Sequence, residues 1–232
     1  MSVHVALTPS EEASAQIGIV VDVIRATSSI AQALAAGYER VLCCREIDEA
    51  NALRAELGDE AIVGGERNGV VVEGFDVGAS PREFAAGPQA ATLILSTTNG
   101  TAAILGAAAR CKTVLVGSLL NLAAVTAAAR ALGGDIAVFC AGFQGGFALD
   151  DAYCAGRIAE ALGGEAEDSA RAAILIARSF PSALEGLGAS RSAANLRRHD
   201  LEADVERCAR ENDLDVVPRY VRRVGPAAEV TL

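Results

Sequence analysis

Short apolar runs alternate with helical stretches along the first two thirds of the chain. The apolar runs are rich in β-branched residues, which is typical of buried strands. Predicted strands occupy residues 17–23, 40–44, 61–65, 91–96, 113–117 and 135–142. The Ala-rich stretches predict helices over residues 28–37, 46–57, 99–111 and 121–133. This alternation favours a three-layer α/β/α fold, with a mostly parallel or mixed central sheet covered by helices on both faces.

The last third of the chain has a different pattern. Beyond residue 150 it is mostly helical, with predicted helices over 149–162, 166–180 and 200–211 and a Ser/Ala/Gly-rich stretch over 181–194. Because no linker or internal repeat interrupts the chain, we predict a single domain over residues 1–232. Segment 66–90 is irregular, and a long irregular segment inside a compact domain is more often functional than accidental.

The charge balance limits the possible partners. Acidic residues outnumber basic ones by 30 to 20, and the formal net charge of −10 argues against nucleic acid or an anionic membrane as a partner. The basic residues are almost all arginine, and Lys112 is the only lysine. A bound anion would therefore be held mainly by arginine, backbone N–H groups and a metal ion.

The six cysteines and two histidines form no metal-binding motif. Because no Cys-x-x-Cys pair is present, a zinc site is not expected. We predict reduced thiols in a cytoplasmic protein. The first residues lack the basic and apolar regions of a signal peptide, and no apolar run reaches the length of a membrane span.

Polar and charged residues directly follow the first strong strand. Asp22 and Arg25 come after it, and Thr27 and Ser28 stand at the start of the next helix. A carboxylate at this point suits a hard cation, and the helix N-terminus supplies N–H groups to an anion. Capping by Thr27 or Ser28, with a surface ion pair between Asp22 and Arg25, would explain the same residues.

Two further clusters also follow strands. Glu66 and Arg67 come after two glycines that allow close approach of the backbone, although a turn with a solvated ion pair is the alternative. The run after the strand at 91–96 combines polar side chains with a glycine at a helix start: Thr97, Thr98, Asn99, Gly100 and Thr101. This run predicts a cradle for oxyanions, and it lacks the glycine spacing and lysine of a P-loop.

A glycine-rich loop after the last strong strand leads to Asp150 and Asp151 at the start of a helix. Acids favour helix N-termini, so capping is an alternative role for Asp150. In a parallel sheet the loops at the strand carboxyl ends share one edge, where ligands bind. We therefore expect Asp22, Glu66, Asp150 and Asp151 to lie near one another and to form a magnesium site.

Six segments taken together resemble the 2-phosphosulfolactate phosphatase family of coenzyme M biosynthesis. They are DVIRATSSI, GGERNGVVVEGFDVGASP, STTNGT, GSLLN, CAGFQGGFALDDAYCAG and DLDVVP, in order over most of residues 17–220. The resemblance implies a three-layer α/β enzyme that is magnesium-dependent, often dimeric, and that releases phosphate from 2-phospho-3-sulfolactate. We therefore expect a homodimer acting on a small anionic phospho-acid.

Three positions depart from the family's usual pattern. Gly78-Ala79-Ser80-Pro81 stands where members usually read GNSP, and Asp150 stands where they commonly have Glu. The run Thr27-Ser28-Ser29 keeps the hydroxyl groups of the threonines usual there. Of the three, Ala79 is the one that would indicate a changed substrate, because a polar contact is missing.

The expected mechanism is metal-assisted hydrolysis of a phosphate monoester. Asp22, Glu66 and one or both of Asp150 and Asp151 would hold Mg²⁺, and Arg25 and Arg67 would clamp the substrate's anionic groups. Thr97, Thr98, Asn99 and the Gly100 N–H would cradle the remaining oxygens. Direct attack by water is favoured over attack by Asp22, because the D-x-D-x-T signature of phospho-aspartate enzymes is absent.

Two other classes of function stay open on sequence grounds. The chain could be a non-catalytic sensor that binds a phosphorylated metabolite through the same loops, although such a sensor has no need of four acids. It could also be a structural member of an Ala-rich assembly. Asp215 and Arg219, near the end of the sequence, could return to the active edge.

Overall fold

The computed structural model describes residues 1–232 and has an α/β architecture around one mixed sheet of eleven strands. The strands are β1 Ser2–Ala6, β2 Ala15–Val21, β3 Arg40–Cys44, β4 Ala61–Arg67, β5 Val70–Val71, β6 Thr92–Ser96, β7 Cys111–Gly117, β8 Ile136–Cys140, β9 Glu165–Ala166, β10 Arg219–Val224 and β11 Ala227–Thr231. The helices are α1 Ala26–Ala35, α2 Ile47–Leu57, α3 Pro81–Phe84, α4 Gly100–Ala108, α5 Leu122–Leu132, α6 Leu149–Leu162, α7 Asp168–Arg178, α8 Ala183–Gly188, α9 Arg191–Arg197 and α10 Glu202–Cys208.

The sheet consists of two parallel blocks joined by an antiparallel hairpin. Its order is β5-β4-β6-β3-β11-β10-β7-β2-β8-β1-β9. Strands β4, β6 and β3 are parallel to one another, as are β7, β2, β8, β1 and β9. The β10–β11 hairpin pairs antiparallel with β3 on one side and β7 on the other. It follows that the two blocks run in opposite directions.

Both faces of the larger block are buried, as its continuous apolar strands require. In β2, Ile17, Ile19 and Val21 contribute to one apolar cluster, while Val20 contributes to another on the opposite face. Helices α5, α6 and α7 cover the first face, and α1 and α4 cover the second. The alternation of neighbouring strand residues between two clusters confirms the predicted three-layer arrangement.

The structure confirms the predicted α/β fold with a mixed sheet, and the elements predicted for the first two thirds are present within a few residues. Strands β1 and β9 and the β10–β11 hairpin were not predicted from the sequence. The segment 66–90, predicted to be irregular, contains the end of β4, strand β5 and helix α3. No helix combines the length and the apolar character that crossing a membrane requires.

Candidate active site

A small cleft lies where loops from both blocks of the sheet meet. Its volume is about 120 Å³, well below the roughly 300–1,000 Å³ of pockets for drug-sized ligands. It is lined by the loops after β2, β4, β6 and β8 and by helix α9: Asp22, Ile24, Arg25, Ala26, Glu66, Asn68, Gly69, Ala79, Thr97, Thr98, Asn99, Gly142, Phe143, Gln144, Asp150, Asp151, Ser192, Asn195 and Leu196. The size of the cleft suits a small metabolite.

Asp22 lies where the N-termini of two helices meet. The Ala26 N–H at the start of α1 donates to Asp22 Oδ1 at 3.4 Å, and the backbone N–H of Asp22 donates to Thr27 Oγ1 at 3.1 Å. Gly100 begins α4, and a Cβ there would lie 2.6 Å from the Ala26 Cβ and 3.1 Å from Asp22 Oδ2. Only glycine allows this approach, which brings two positive helix ends to one carboxylate.

Burial and mutual repulsion perturb the carboxyl groups of the cleft. Burial, followed by the negative charges of Asp150 and Glu66, raises the pKa of Asp22 to about 7. Burial raises the pKa of Asp150 to about 6, against the hydrogen bond from Ser192 Oγ at 3.1 Å. The four acids of the cleft thus carry more negative charge than its one basic side chain, Arg25, can neutralise. Clusters of groups with perturbed pKa values are common at functional sites.

Asp151 holds the backbone of two cleft loops. Its Oδ1 accepts the Val23 N–H and its Oδ2 accepts the Gly142 N–H, each at 2.9 Å. Burial, then the charges of Asp150 and Asp22, raise the pKa of Asp151 well above its usual range. Because both oxygens already accept N–H groups, Asp151 has less free acceptor capacity than Asp150 for a metal ion.

The two arginines predicted to clamp the substrate have different surroundings. Arg25 lines the cleft, where its Nη1 donates to Asp204 Oδ2 at 2.6 Å and its Nη2 to the Gly69 carbonyl at 3.2 Å. Arg67 is directed away from the cleft lining. Its guanidinium donates to the carbonyls of Glu66 and Arg45, each at 2.6 Å, and to Ser96 Oγ at 3.0 Å. In this structure Arg67 therefore fastens backbone segments, and Arg25 is the cation available to a substrate.

Only part of the predicted oxyanion cradle lines the cleft. Thr97, Thr98 and Asn99 line the cleft, and the Asn99 side chain makes no capping hydrogen bond to α4. Thr101 is buried outside the cleft lining and donates to the Cys44 carbonyl at 3.1 Å. Its hydroxyl therefore holds α4 against β3 and is not free for a substrate.

The hydroxyls at the start of α1 also have internal partners. Ser28 Oγ donates to the Val23 carbonyl at 2.8 Å, and Thr27 Oγ1 accepts the Asp22 N–H. Both side chains are fully buried and lie outside the cleft lining. Neither hydroxyl caps α1, whose N-cap residue is Arg25, and Arg25 forms a buried ion pair with Asp204, so the capping alternative with a surface ion pair between Asp22 and Arg25 is wrong. The two hydroxyls instead shape the loop that carries Asp22 and Arg25.

Helix α9 supplies cleft residues that the sequence analysis did not identify. Ser192 and Asn195 line the cleft, and Asn195 Nδ2 donates to the Asn68 carbonyl at 2.8 Å. Asn68 and Gln144, on two different loops, have φ angles of 56° and 52°. The Asn-Gly pair at 68–69 was the available signal for a turn, whereas nothing in the polar pattern of α9 separates these residues from surface ones.

Two other expectations concern residues outside the main motifs. Ala79 does line the cleft, so the departure noted in the sequence lies at a position that a substrate can reach. Arg219 pairs with Leu115 in the sheet, and neither Arg219 nor Asp215 lines the cleft. These two late residues do not return to the active edge.

The charges of the cleft fit a magnesium ion. Four acids line it, and its only basic side chain, Arg25, already pairs with Asp204. Nowhere in the structure do three or more acidic, histidine or cysteine side chains lie close enough together to hold a metal ion by themselves. Magnesium commonly keeps several waters and binds through one or two carboxylates together with a substrate phosphate. The donor set therefore suits a hydrated ion that is completed by the substrate.

A cleft at strand ends, with clustered acids, one arginine and two helix N-termini, is the arrangement of a hydrolase acting on an anionic ester. The family profile described as 2-phosphosulpholactate phosphatase matches residues 3–223. The chain belongs to this family, whose activity is that of phosphoric monoester hydrolases.

Similar proteins cover nearly the same length. A probable 2-phosphosulfolactate phosphatase of Thermus thermophilus is 40% identical, with 98% of each chain aligned. Proteins of the same description from Deinococcus radiodurans and Carboxydothermus hydrogenoformans are 36% and 40% identical. The alignments cover 88% of each chain for the first, and 86% of this chain and 84% of the relative for the second.

Proposed function

We propose that this protein is a magnesium-dependent phosphatase that hydrolyses 2-phospho-3-sulfolactate, or a related 2-phospho-hydroxyacid, to the hydroxyacid and phosphate. The observation that carries the proposal is the meeting of four acids and Arg25 in one small cleft at two helix N-termini. The names of relatives at 36–40% identity supply the substrate class.

The phosphoryl group would bind between Arg25 and the starts of α1 and α4. The guanidinium donates to two phosphoryl oxygens, and the N–H groups at the helix starts face the remaining charge. Thr97, Thr98 and Asn99, which also line the cleft, would supply further hydrogen bonds. The acid groups of the substrate would then bind to other polar residues of the lining, such as Asn195 and Gln144.

A hydrated magnesium ion, when bound by one or two of the carboxylates of Asp22, Glu66 and Asp150, would neutralise the phosphoryl oxygens and orient the attacking water. Glu66 is held for this role by its own loop, because its Oε2 accepts the Gly69 N–H at 2.6 Å. Ser192 holds Asp150 in a similar way. Asp151 keeps the loops that carry Val23 and Gly142 in place around these carboxylates.

Hydrolysis would proceed by direct attack of water on phosphorus. The water oxygen bonds to phosphorus, the bond from phosphorus to the ester oxygen breaks, and one water proton goes to a free oxygen of Asp22. The leaving alkoxide takes a proton from solvent, and Asp22 returns its proton to solvent. Asp22 suits this role because it lies beside both helix starts, where the phosphoryl group would bind.

The remaining expectations from the resemblance are also part of the proposal. A place in coenzyme M biosynthesis, a homodimeric state and a cytoplasmic location follow from the likeness to the family. Sedimentation of the purified protein would decide the oligomeric state independently of the chemistry.

A panel of phospho-acids tests the substrate class. Phosphate release would be measured with racemic 2-phosphosulfolactate, phospholactate and phosphoglycolate, each with Mg²⁺ and with EDTA. We expect magnesium-dependent release that is fastest with the sulfonate. Release from the other two acids alone would keep the phosphatase and reject the sulfonated substrate.

A further inference from the structure

The charge partner of Arg25 comes from the far end of the chain. Asp204, in the first turn of α10, has a fully buried side chain, and its Oδ2 accepts Arg25 Nη1 at 2.6 Å. The Arg25 side chain is itself only 5% exposed. Because water has little access to this ion pair, removing either side chain would leave the other one as a buried charge without a partner.

Asp204 is held on its other side by a second segment of the fold. Its Oδ1 accepts the Ser80 hydroxyl at 2.6 Å, and Ser80 Oγ also accepts the Arg82 N–H at the start of α3. Neither oxygen of Asp204 accepts a hydrogen bond from the N–H groups of its own helix. An ordinary helix-capping role therefore does not explain the position of this carboxylate.

The position matters because Arg25 lies among competing acids. The charge of Arg25 already acts on Asp22, which lies in the same cleft as Glu66 and Asp150. A free guanidinium would turn toward these carboxylates and occupy the place of the metal or the phosphate. The bond to Asp204, together with the Gly69 carbonyl, holds the guanidinium against the wall of the cleft.

We infer that Asp204 is a positioning residue for Arg25, which it fixes for the phosphoryl group and keeps away from the acids that would bind the metal. Asp204 touches no substrate in this arrangement and acts only through Arg25. The C-terminal helices thereby contribute to the reaction through α10, in addition to the cleft residues of α9. The kinetic part of this inference rests on the proposed phosphatase function, whereas the placement of Arg25 does not.

The first test is structural and needs no activity. Crystal structures would be determined for Asp204→Asn and for Glu202→Gln, a matched acid-to-amide change on the same helix. Glu202 pairs with Arg197 at the surface, at 2.6 Å. We expect the Arg25 guanidinium to leave the Gly69 carbonyl in Asp204→Asn and to stay in place in Glu202→Gln. An unmoved guanidinium in Asp204→Asn would overturn the inference.

The second test is a double-mutant cycle on kcat/KM. Asp204→Asn is expected to lower kcat/KM at least about tenfold, the loss typical of a charged hydrogen bond, mainly through KM. The double variant with Arg25→Ala should be no worse than Arg25→Ala alone, because Asp204 acts through Arg25. Additive losses would show an independent structural role and reject the inference.

The inference can still be tested if a variant does not fold or if the protein is not a phosphatase. If Asp204→Asn does not fold, Ser80→Ala removes the other hydrogen-bond partner of Asp204 and should displace Arg25 in the same direction with a smaller loss, since Arg82 still lies 4.0 Å from Asp204 Oδ1. If the wild-type protein releases no phosphate from any phospho-acid, the proposed function fails, while the position of Arg25 in the variant structures still decides the inference.

Discussion

Gly100 faces Asp22 across the junction of two helices, and a Cβ at position 100 would stand 3.1 Å from Asp22 Oδ2. The two residues follow strands from different blocks of the sheet, β6 and β2, which run in opposite directions. Their contact is what brings the polar loops of both blocks into one cleft. The position of the site therefore depends on a glycine that carries no chemistry of its own.

Gly100→Ala is expected to reduce activity about 100-fold, because a displacement of about 1 Å at the reacting centre has an effect of that size. The new methyl would also press on the Ala26 Cβ at 2.6 Å and lower the free energy of unfolding by about 1–3 kcal/mol. Phosphate-release kinetics and urea unfolding measure the two effects.

Gly106→Ala is the matched control on the same helix, since nothing lies within 4 Å of a Cβ there. It should leave kcat/KM unchanged and stabilise the protein by about 0.5–1 kcal/mol, because alanine favours helices over glycine. Equal losses of activity in both variants would mean that the approach of α4 to Asp22 is unimportant.

Asp22→Asn should stabilise the metal-free protein at high pH. A pKa raised from 3.8 to about 7 means that the folded state binds the proton more tightly, so ionisation of Asp22 destabilises the fold as pH rises from about 4 to about 7. Above pH 7 the penalty is complete, about 2–4 kcal/mol, which corresponds to a rise in Tm of about 5–10 °C on substitution.

Calorimetry at pH 4 and pH 8 tests whether Asp22→Asn raises the Tm only at high pH. The Tm difference between Asp22→Asn and wild type should be present at pH 8 and small at pH 4. The exposed acid variant Asp59→Asn should show no such difference at either pH. Added Mg²⁺ should raise the Tm of wild type more than that of Asp22→Asn, and an equal rise in both would place the ion elsewhere.

Asp151→Asn should destabilise the fold, because an amide can accept only one of the two N–H groups that the carboxylate accepts. The other N–H would face the amide nitrogen, at a cost of about 1–3 kcal/mol. Urea unfolding measures the loss. The control is Asp168→Asn at the exposed start of α7, and an unchanged stability of Asp151→Asn would contradict the role assigned here.

Arg67→Lys and Arg25→Lys should have different effects. Lysine at 67 cannot reproduce the fork that joins Arg45, Glu66 and Ser96, so it should lower stability by about 1–3 kcal/mol with little change in KM. Lysine at 25 should raise KM at least about tenfold. A similar rise in KM for Arg67→Lys would show that Arg67 reaches the substrate after all.

The sequence predicts the layers of this fold better than its topology. Continuous apolar strands such as β8 and their alternation with helices are local patterns, so the three-layer class and most of the helices could be predicted from the sequence. The β10–β11 hairpin could not. None of the six β10 residues, Arg219–Val224, is buried, and the role of the hairpin depends on the pairing of β10 with β7 and of β11 with β3, which lie far away in the sequence.

The site was predictable as a set of segments but not as a set of contacts. Asp22, Arg25, Glu66 and Asp150 follow strands or begin helices, and they do meet in the cleft. Arg67 and Thr101 are also polar residues that follow strands or begin helices, yet their side chains donate hydrogen bonds to backbone carbonyls outside the cleft. Asp204 gave no signal, because its partner Arg25 lies 179 positions away.

The most direct test of the account is phosphate release by wild type and Asp22→Asn, each with saturating Mg²⁺ and with EDTA, on 2-phosphosulfolactate. We predict turnover only for wild type with Mg²⁺, and a loss of at least about 100-fold in Asp22→Asn, as expected when a group that acts in the transition state is removed. Equal turnover by the two proteins would contradict the assignment of the reaction to this cleft. No release by wild type with Mg²⁺ would contradict the phosphatase itself and favour a sensor of phosphorylated metabolites.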